Sequence, residues 1–284
     1  MIHYYKMKKY SFRTLTYIGV IFFLLVALFP ISWVFIGSIH STADLLRARV
    51  SFPPRSATLE HYDALFHTQY GVKLFSRYIV NSLKVGAGTA ALTSVIAILG
   101  AYGLSRYRFV GRESLSRIML FVYVFPQSLV LVPAYVLLAR LKLIDTHTGL
   151  ILVHTGVAAP FCTWLLRSFF DAIPKELEEA AAVEGANWFH ILFRIVLPLA
   201  APGVVTAGVY ALVISWGEYM FAANFLMSGV KWTVPVGLAT YMTEQAIEWG
   251  QLLAGTVLTA VPILIIFFPF ARTFLRGFLE GALK

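Results

Sequence analysis

Cysteine, acidic residues and charge in general are scarce in this chain, and each shortage excludes a class of protein. The lone cysteine, Cys162, rules out an internal disulfide framework and a cysteine-built zinc or iron–sulfur centre. With no base beside it in sequence, it reads as a buried, inert thiol. Only 13% of the 284 residues are charged, against about a quarter in a soluble domain of this length, so most of the surface must meet lipid. No G-x-x-x-x-G-K-S/T loop occurs, so the chain carries no P-loop nucleotide site of its own. Neither an HExxH helix nor a serine–histidine catalytic pattern is present, which argues against an intramembrane enzyme. The glycine-rich stretch GAGTAAL (Gly86–Leu92) lies in an apolar run with no lysine after it and reads as small-residue helix packing.

What is abundant is apolar sequence: 59% hydrophobic residues and a mean hydropathy of +0.76. A helical membrane crossing needs about 20 apolar residues. Six uncharged runs meet that length: Thr14–Ile39, Val85–Ser105, Ile118–Ala139, Thr146–Leu166, Ile195–Gly217 and Trp249–Ala271. Their apolarity is continuous and does not alternate, so they predict helices and not barrel strands. The expected fold is an all-α membrane protein with a tail over 1–13 and one transmembrane domain over 14–284. Its spans are expected at about 14–39, 78–105, 117–139, 148–170, 198–224 and 251–274. Pro126 and Pro160 are expected to kink the third and fourth. The first run is too long for the apolar region of a cleaved signal peptide and reads as a signal anchor.

Lysine and arginine orient the spans. With the N-terminus in the cytoplasm, the inner segments hold 14 basic residues: Lys6, Lys8, Lys9, Arg13, Arg106, Arg108, Arg112, Arg117, Arg167, Lys175, Arg194, Arg272, Arg276 and Lys284. The outer segments hold eight, Arg47, Arg49, Arg55, Lys73, Arg77, Arg140, Lys142 and Lys231, with Lys84 near the outer end of span two. Both termini are therefore expected inside. The same distribution accounts for the net charge of +9 without nucleic acid, because the charges flank spans and form no stripe.

Of 14 acidic residues, five (Asp171, Glu176, Glu178, Glu179 and Glu184) crowd between spans four and five. Pro174 can open a helix there, Lys175–Glu184 is rich in helix formers, and its early glutamates complement the helix dipole. Ala180, Ala181 and Ala182 leave a surface with almost no side chain, and Gly185 permits a left-handed turn. Asn187 can cap a second helix with Phe189, Leu192, Phe193 and Val196 at helical spacing. The pattern predicts a helix–turn–helix over 171–198. Its acidic first helix suits insertion into a groove on another protein, since helices resting on headgroups are usually basic.

Other polar residues fall within or near the spans. Asn81, Gln127, Trp216, Glu218, Tyr219 and Asn224 are candidates for a substrate path, Glu218 foremost because an intramembrane carboxylate is costly. His154, with no carboxylate one turn away, reads as a packing histidine.

Glu179-Ala180-Ala181, three residues, Gly185, nine residues, then Ile195-Val196-Leu197-Pro198 matches the EAA loop of ABC importer permeases without a gap. The chain resembles the carbohydrate-uptake branch of that family, and its maltose permeases in particular. FPPRSATLEHY (Phe52–Tyr62), NSLKVG (Asn81–Gly86), AYGLSRYRFVGR (Ala101–Arg112) and LPLAAPGV (Leu197–Val204) extend the resemblance over most of the chain from Phe52 onward. It implies a multi-pass protein of a bacterial inner membrane, paired as a heterodimer with a second homologous permease. It also implies two ATPase subunits carrying ATP and Mg, an extracytoplasmic substrate-binding protein, and no cofactor in this chain itself. Carried over, the ATPase-coupling residues are Glu178, Glu179, Ala180, Ala181, Gly185, Ile195, Leu197 and Pro198. Glu179 would pair with a basic group of the ATPase, the alanines would pack in its cleft, and Gly185 would make the turn. Lys231, Trp232 and Thr233 would reach the binding protein.

The resemblance favours an oligosaccharide as cargo. The outer segments carry eight basic residues against six acidic ones (Asp44, Glu60, Asp63, Asp145, Glu244 and Glu248), which leaves an acidic cargo such as a uronate oligosaccharide, or a polyol, open. The competing class is a secondary transporter driven by an ion gradient. Such proteins carry internal repeats and broken mid-membrane helices. No convincing internal repeat is found, and the EAA loop would go unexplained.

Overall fold

In the computed structural model the chain is all-helical. Residues 2–46, 54, 56–67, 74–242 and 247–282 are described, with side chains over 15–46, 54, 56–67, 74–242 and 247–271. Lys6, Lys8, Lys9, Arg13, Arg47, Arg49, Arg55, Lys73, Glu244, Arg272, Arg276 and Lys284, counted above, lie outside the described side chains, as do Phe52 and Pro53.

The helices are α1 (Ile2–Ser38), α2 (Thr42–Leu46), α3 (Glu60–Phe66), α4 (Leu74–Arg106), α5 (Arg112–Val124), α6 (Gln127–Arg140), α7 (His147–Asp171) and α8 (Glu176–Val183). There follow α9 (Trp188–Ile191, continued by a π-helical turn Leu192–Val196), α10 (Leu197–Leu199), α11 (Ala201–Gly217), α12 (Met220–Phe225), α13 (Val234–Ala239) and α14 (Trp249–Ala282). Among the described residues, strand pairing is confined to single bridges at His40–Ala57 and Met242–Ile247.

Four stretches are long and apolar enough to cross a membrane as single helices: Leu15–Ser38 of α1, α4, α7 and Trp249–Ala271 of α14. The third and fifth expected spans are instead each divided. α5 meets α6 at 98°, and the Trp188–Leu199 segment meets α11 at 81°; the count reaches six where each bent pair makes one crossing. Pro126 causes the first break, because it lacks an N–H and drives the preceding Phe125 out of the helical region, to φ −66°, ψ 134°. At the second, Ala200 adopts φ −89°, ψ 7° just before Pro202 in the first turn of α11. Pro160, by contrast, does not divide α7. α11 stops at Gly217, Glu218 is extended, and α12 follows as a separate short helix.

The chain divides into two compact units. One is Met1–Thr68 with Tyr241–Leu258. Here Ser38 Oγ lies 2.7 Å from the Tyr62 hydroxyl, and His61 Nε2 lies 2.9 Å from the His40 carbonyl. Buried His61 sits over Gly250, where a Cβ would fall 2.0 Å from its ring. Phe22, Phe23 and Leu25 of α1 point outward, as lipid-facing side chains do.

The other unit, Gln69–Thr240 with Thr259–Lys284, is built on α4, α7 and α11. α4 and α7 run parallel: Gly88 meets Ile151, Gly100 meets Thr163, and Ser105 bonds Asp171. α11 runs antiparallel to both, bringing Leu212 to Gly86, Gly208 to Ser94 and Gly203 to Phe169. Small residues let these helices approach closely; a Cβ on Gly88 would fall 2.6 Å from Ile151 Cδ1. Ala97, Ala101, Cys162, Leu166 and Ala207 are completely buried in this core.

Candidate functional site

Three polar groupings decorate the α4–α7–α11 bundle. The first is the helix–turn–helix. Gly185 adopts φ +87°, with the Ala186 N–H donating to Ala181 O (2.9 Å) and the Gly185 N–H to Ala182 O (3.0 Å). This pair of bonds satisfies the last carbonyls of α8 and fixes the exit of the chain. Asn187 then accepts from the His190 N–H at 2.9 Å and caps α9. Leu192 and Val196 enter the core, while Phe189 and Phe193 stay exposed with nearly parallel rings. Glu179, Ala180, Gly185 and Pro198 are exposed; Ala181, Ile195 and Leu197 are half-buried.

Glu178 faces the opposite way. Its Oε1 accepts from Arg106 Nε at 2.6 Å and its Oε2 from the Tyr102 hydroxyl at 3.0 Å, and the residue is buried. Neighbours on a helix point about 100° apart, so only Glu179 of the two adjacent glutamates presents its carboxylate outward. Glu178, expected among the ATPase-coupling residues, turns its carboxylate inward, to Arg106 and Tyr102 of α4.

The second grouping lies between α4, α7 and α11. Buried His154 stands 3.1 Å through Nε2 from Glu218 Oε2 and 2.8 Å through Nδ1 from Ser215 Oγ, which also bonds Thr89. Glu218 accepts in addition from the N–H groups of Phe221 (2.7 Å) and Ala222 (3.0 Å). One carboxylate thus starts α12 and holds His154. His154 is therefore not the lone packing histidine expected, because its carboxylate arrives from beyond α11 and not from its own helix. Among the described residues, Thr93, Thr155 and Trp216 each bury a polar side-chain atom with no hydrogen-bond partner.

The remaining substrate-path candidates are scattered. Gln127, Tyr219 and Asn224 are exposed, whereas Asn81 and Trp216 are buried. Gln127 lines an apolar cavity of about 340 Å³ at the α5–α6 break, with Tyr123, Phe125, Val130 and Gly156.

The third grouping fastens the loop after α12. Asp145, in the α6–α7 turn, accepts from the N–H groups of Met227 and Ser228 (both 3.0 Å), the Ser228 hydroxyl (2.6 Å) and Lys231 Nζ (2.7 Å). The Lys231 ammonium, followed by the Ser228 hydroxyl, holds the Asp145 carboxyl well below the usual carboxylate range. Asn81 Nδ2 donates to the carbonyls of Val230 and Trp232, both at 2.9 Å, and His147 Nε2 lies 2.9 Å from the Lys231 carbonyl. Lys231 and Trp232 keep some exposure, but Thr233 is buried and offers no outer surface. Among the described residues no group of three or more His, Cys, Asp or Glu is placed to hold a metal ion.

Residues 93–276 match the family of binding-protein-dependent transport system inner membrane components. The chain belongs to that family. This permease is 34% identical over 268 residues to the inner membrane ABC transporter permease protein YcjP of Escherichia coli K12, spanning 94% of this chain and 95% of that one. It is 34% identical over 275 residues to the sulfoquinovosyl glycerol transport system permease protein SmoH of Agrobacterium fabrum, spanning 97% and 95%. Its fold is similar to a chain of the solved bacterial ABC transporter involved in import of the acidic polysaccharide alginate. The TM-score is 0.77 at 26% identity, over 93% of the permease and 96% of that chain.

Sequence reasoning overlooked Tyr102, Arg106, Asp145, His147 and Ser215 as members of polar groupings. The only available signal was Arg106, a basic residue closing a long apolar helix within the segment Ala101–Arg112.

Proposed function

We propose that this permease is one transmembrane subunit of an ATP-driven oligosaccharide importer, with α8 to α10 as the joint on which a partner ATPase acts. On this reading, residues 1–13 form a cytoplasmic tail and 14–284 a single domain that crosses a bacterial inner membrane six times, both termini inside. The observation that carries it is the surface of the helix–turn–helix. Glu179 and Ala180 are exposed on α8, and Val183, Phe189 and Phe193 beside them are 89%, 64% and 57% exposed. Such a cluster of uncovered apolar side chains beside a carboxylate suits a partner's cleft better than water. Ile195, Leu197 and Pro198 then lead displacement into α11. ATP and Mg belong to two ATPase subunits.

Exposure and side-chain contacts support the remaining assignments. A second homologous permease completes the path, and an extracytoplasmic binding protein meets Lys231 and Trp232. Gln127, Tyr219 and Asn224 meet cargo; Trp216 and Glu218 shape the wall behind them, and Asn81 fixes the loop. Carbohydrate cargo is supported by the relatives, one named for sulfoquinovosyl glycerol and one involved in alginate import. The alginate likeness favours an acidic oligosaccharide as a second reading.

Co-expression with a candidate second permease, ATPase and binding protein, followed by capture of this chain, tests the proposal. Wild type should retain the ATPase and, in proteoliposomes, accumulate oligosaccharide only with ATP. Glu179→Lys should lose the ATPase or hydrolyse ATP without uptake. Uptake driven by an ion gradient, with no ATPase captured, would establish a secondary transporter instead. Neutral and uronate oligosaccharides offered together distinguish the two cargo readings.

A further inference from the structure

We propose that the Arg106–Glu178 ion pair, hung from Tyr102, passes displacement of α8 to α4. Of the two adjacent glutamates, one then works within the permease and the other toward the ATPase. The inference rests on the ATPase-docking role proposed above for α8.

Tyr102 and Arg106 lie one helical turn apart on the same face of α4, and between them they engage both oxygens of Glu178. The side chains of Arg106 and Glu178 are 8% and 11% exposed, so salt screens the pair little and losing one partner leaves the other charge poorly compensated. Arg106 closes the last turn of α4 and Glu178 opens the first turn of α8, each at the helix end whose dipole favours its charge.

The contact continues beyond the pair. Arg106 Nη1 donates to Ser105 Oγ at 2.8 Å, Ser105 donates to Asp171 at the end of α7, and Arg106 Nη2 reaches the Ile173 carbonyl at 3.4 Å. Arg167 lies 3.4 Å from the second Asp171 oxygen and donates to Glu113 of α5 at 2.6 Å. The Tyr102 ring also meets Trp188 of α9 edge-on at 5.9 Å and Phe170 of α7 at 6.3 Å. Both arms of the helix–turn–helix therefore grip the same turn of α4. α8 cannot shift without carrying α4 or abandoning a buried charge.

The test uses the assembled transporter in proteoliposomes and reads uptake per ATP hydrolysed. Arg106→Glu and Glu178→Arg should each lower that ratio about tenfold, while the two together, with the charges exchanged, should return to within about threefold of wild type. A wild-type ratio in the single variants overturns the proposal, as does an assembled double variant with no recovery. Should the reversals block assembly, Tyr102→Phe decides, since it removes one oxygen and keeps the ring. A lowered ratio is expected there, and a wild-type ratio overturns the proposal. Glu179→Lys, measured in parallel, separates the two readings. Uncoupling by Glu179→Lys with normal coupling in Arg106→Glu sinks the relay alone, whereas wild-type behaviour of Glu179→Lys sinks ATPase docking itself.

Discussion

Replacing Glu218 by alanine should loosen the α11–α12 junction more than loss of one hydrogen bond would. Its carboxylate serves His154 and the N–H groups of Phe221 and Ala222, and the side chain is only 9% exposed. Alanine strands three donors where water does not follow. A buried donor left unsatisfied costs about 1–3 kcal/mol, and a lost helix cap about 1 kcal/mol. Within membrane bundles hydrogen bonds average nearer about 0.6 kcal/mol, because the reference state also finds partners. A stranded donor costs more than an average bond contributes, so about 1 kcal/mol for each of the three gives an expected loss of about 3 kcal/mol. At about 2–4 °C per kcal/mol for a chain of this size, the purified transporter should melt roughly 10 °C lower. Glu218→Gln, which keeps an acceptor oxygen, should fall by about half as much, and it should depress uptake with assembly intact. Combining Glu218→Ala with His154→Ala should reveal a coupling energy of about 1 kcal/mol. A melting point for Glu218→Ala within about 2 °C of wild type, with strictly additive effects of His154→Ala, would refute the junction described here.

Three further outcomes are expected. Asn81→Leu removes both bonds to the Val230 and Trp232 carbonyls, so amide exchange across 229–233 should accelerate about tenfold or more; unchanged exchange would mean that the loop is held elsewhere. Because the Asp145 carboxyl is depressed when folded, its contribution is complete above the unfolded value of about 3.9 and is lost only as pH falls below it. Protection of Met227 and Ser228 should thus stay flat from about pH 8 to 5, and a decline in that interval would contradict the assignment. Gly185→Ala forces a side chain into φ +87°, at a cost of about 1 kcal/mol. The altered turn should weaken ATPase capture about fivefold, and wild-type capture would show that the turn tolerates change.

Legibility in the sequence depended on range. Run length located α1, α4, α7 and α14, because crossing a hydrocarbon layer is a property of one continuous stretch. Gly185 and Asn187 were legible for a similar reason: a left-handed turn and a cap act over three or four residues. The 98° break was read only as a kink at Pro126, since hydropathy sums composition and carries no information on chain direction. The polar groupings were invisible. Tyr102–Glu178, His154–Glu218, Asp145–Lys231 and Asn81–Val230 join residues 76, 64, 86 and 149 apart, and no periodicity spans such distances. Nor did adjacency reveal that Glu178 turns inward while Glu179 stays exposed, because neighbouring side chains on a helix face different surroundings.

The bend between α5 and α6 makes one expected crossing depend on two short helices together. α5 and α6 have 13 and 14 residues, which at about 1.5 Å each reach roughly 20 Å, less than the hydrocarbon core of about 30 Å. Neither half reaches across that thickness alone; at the break itself the Phe125 N–H donates to the Val122 carbonyl (3.2 Å) and the Pro126 carbonyl accepts from the Leu129 N–H (3.1 Å). α1 and α4 are each long enough to cross alone, whereas α5 and α6 reach that length only as a pair, and α7 packs against both.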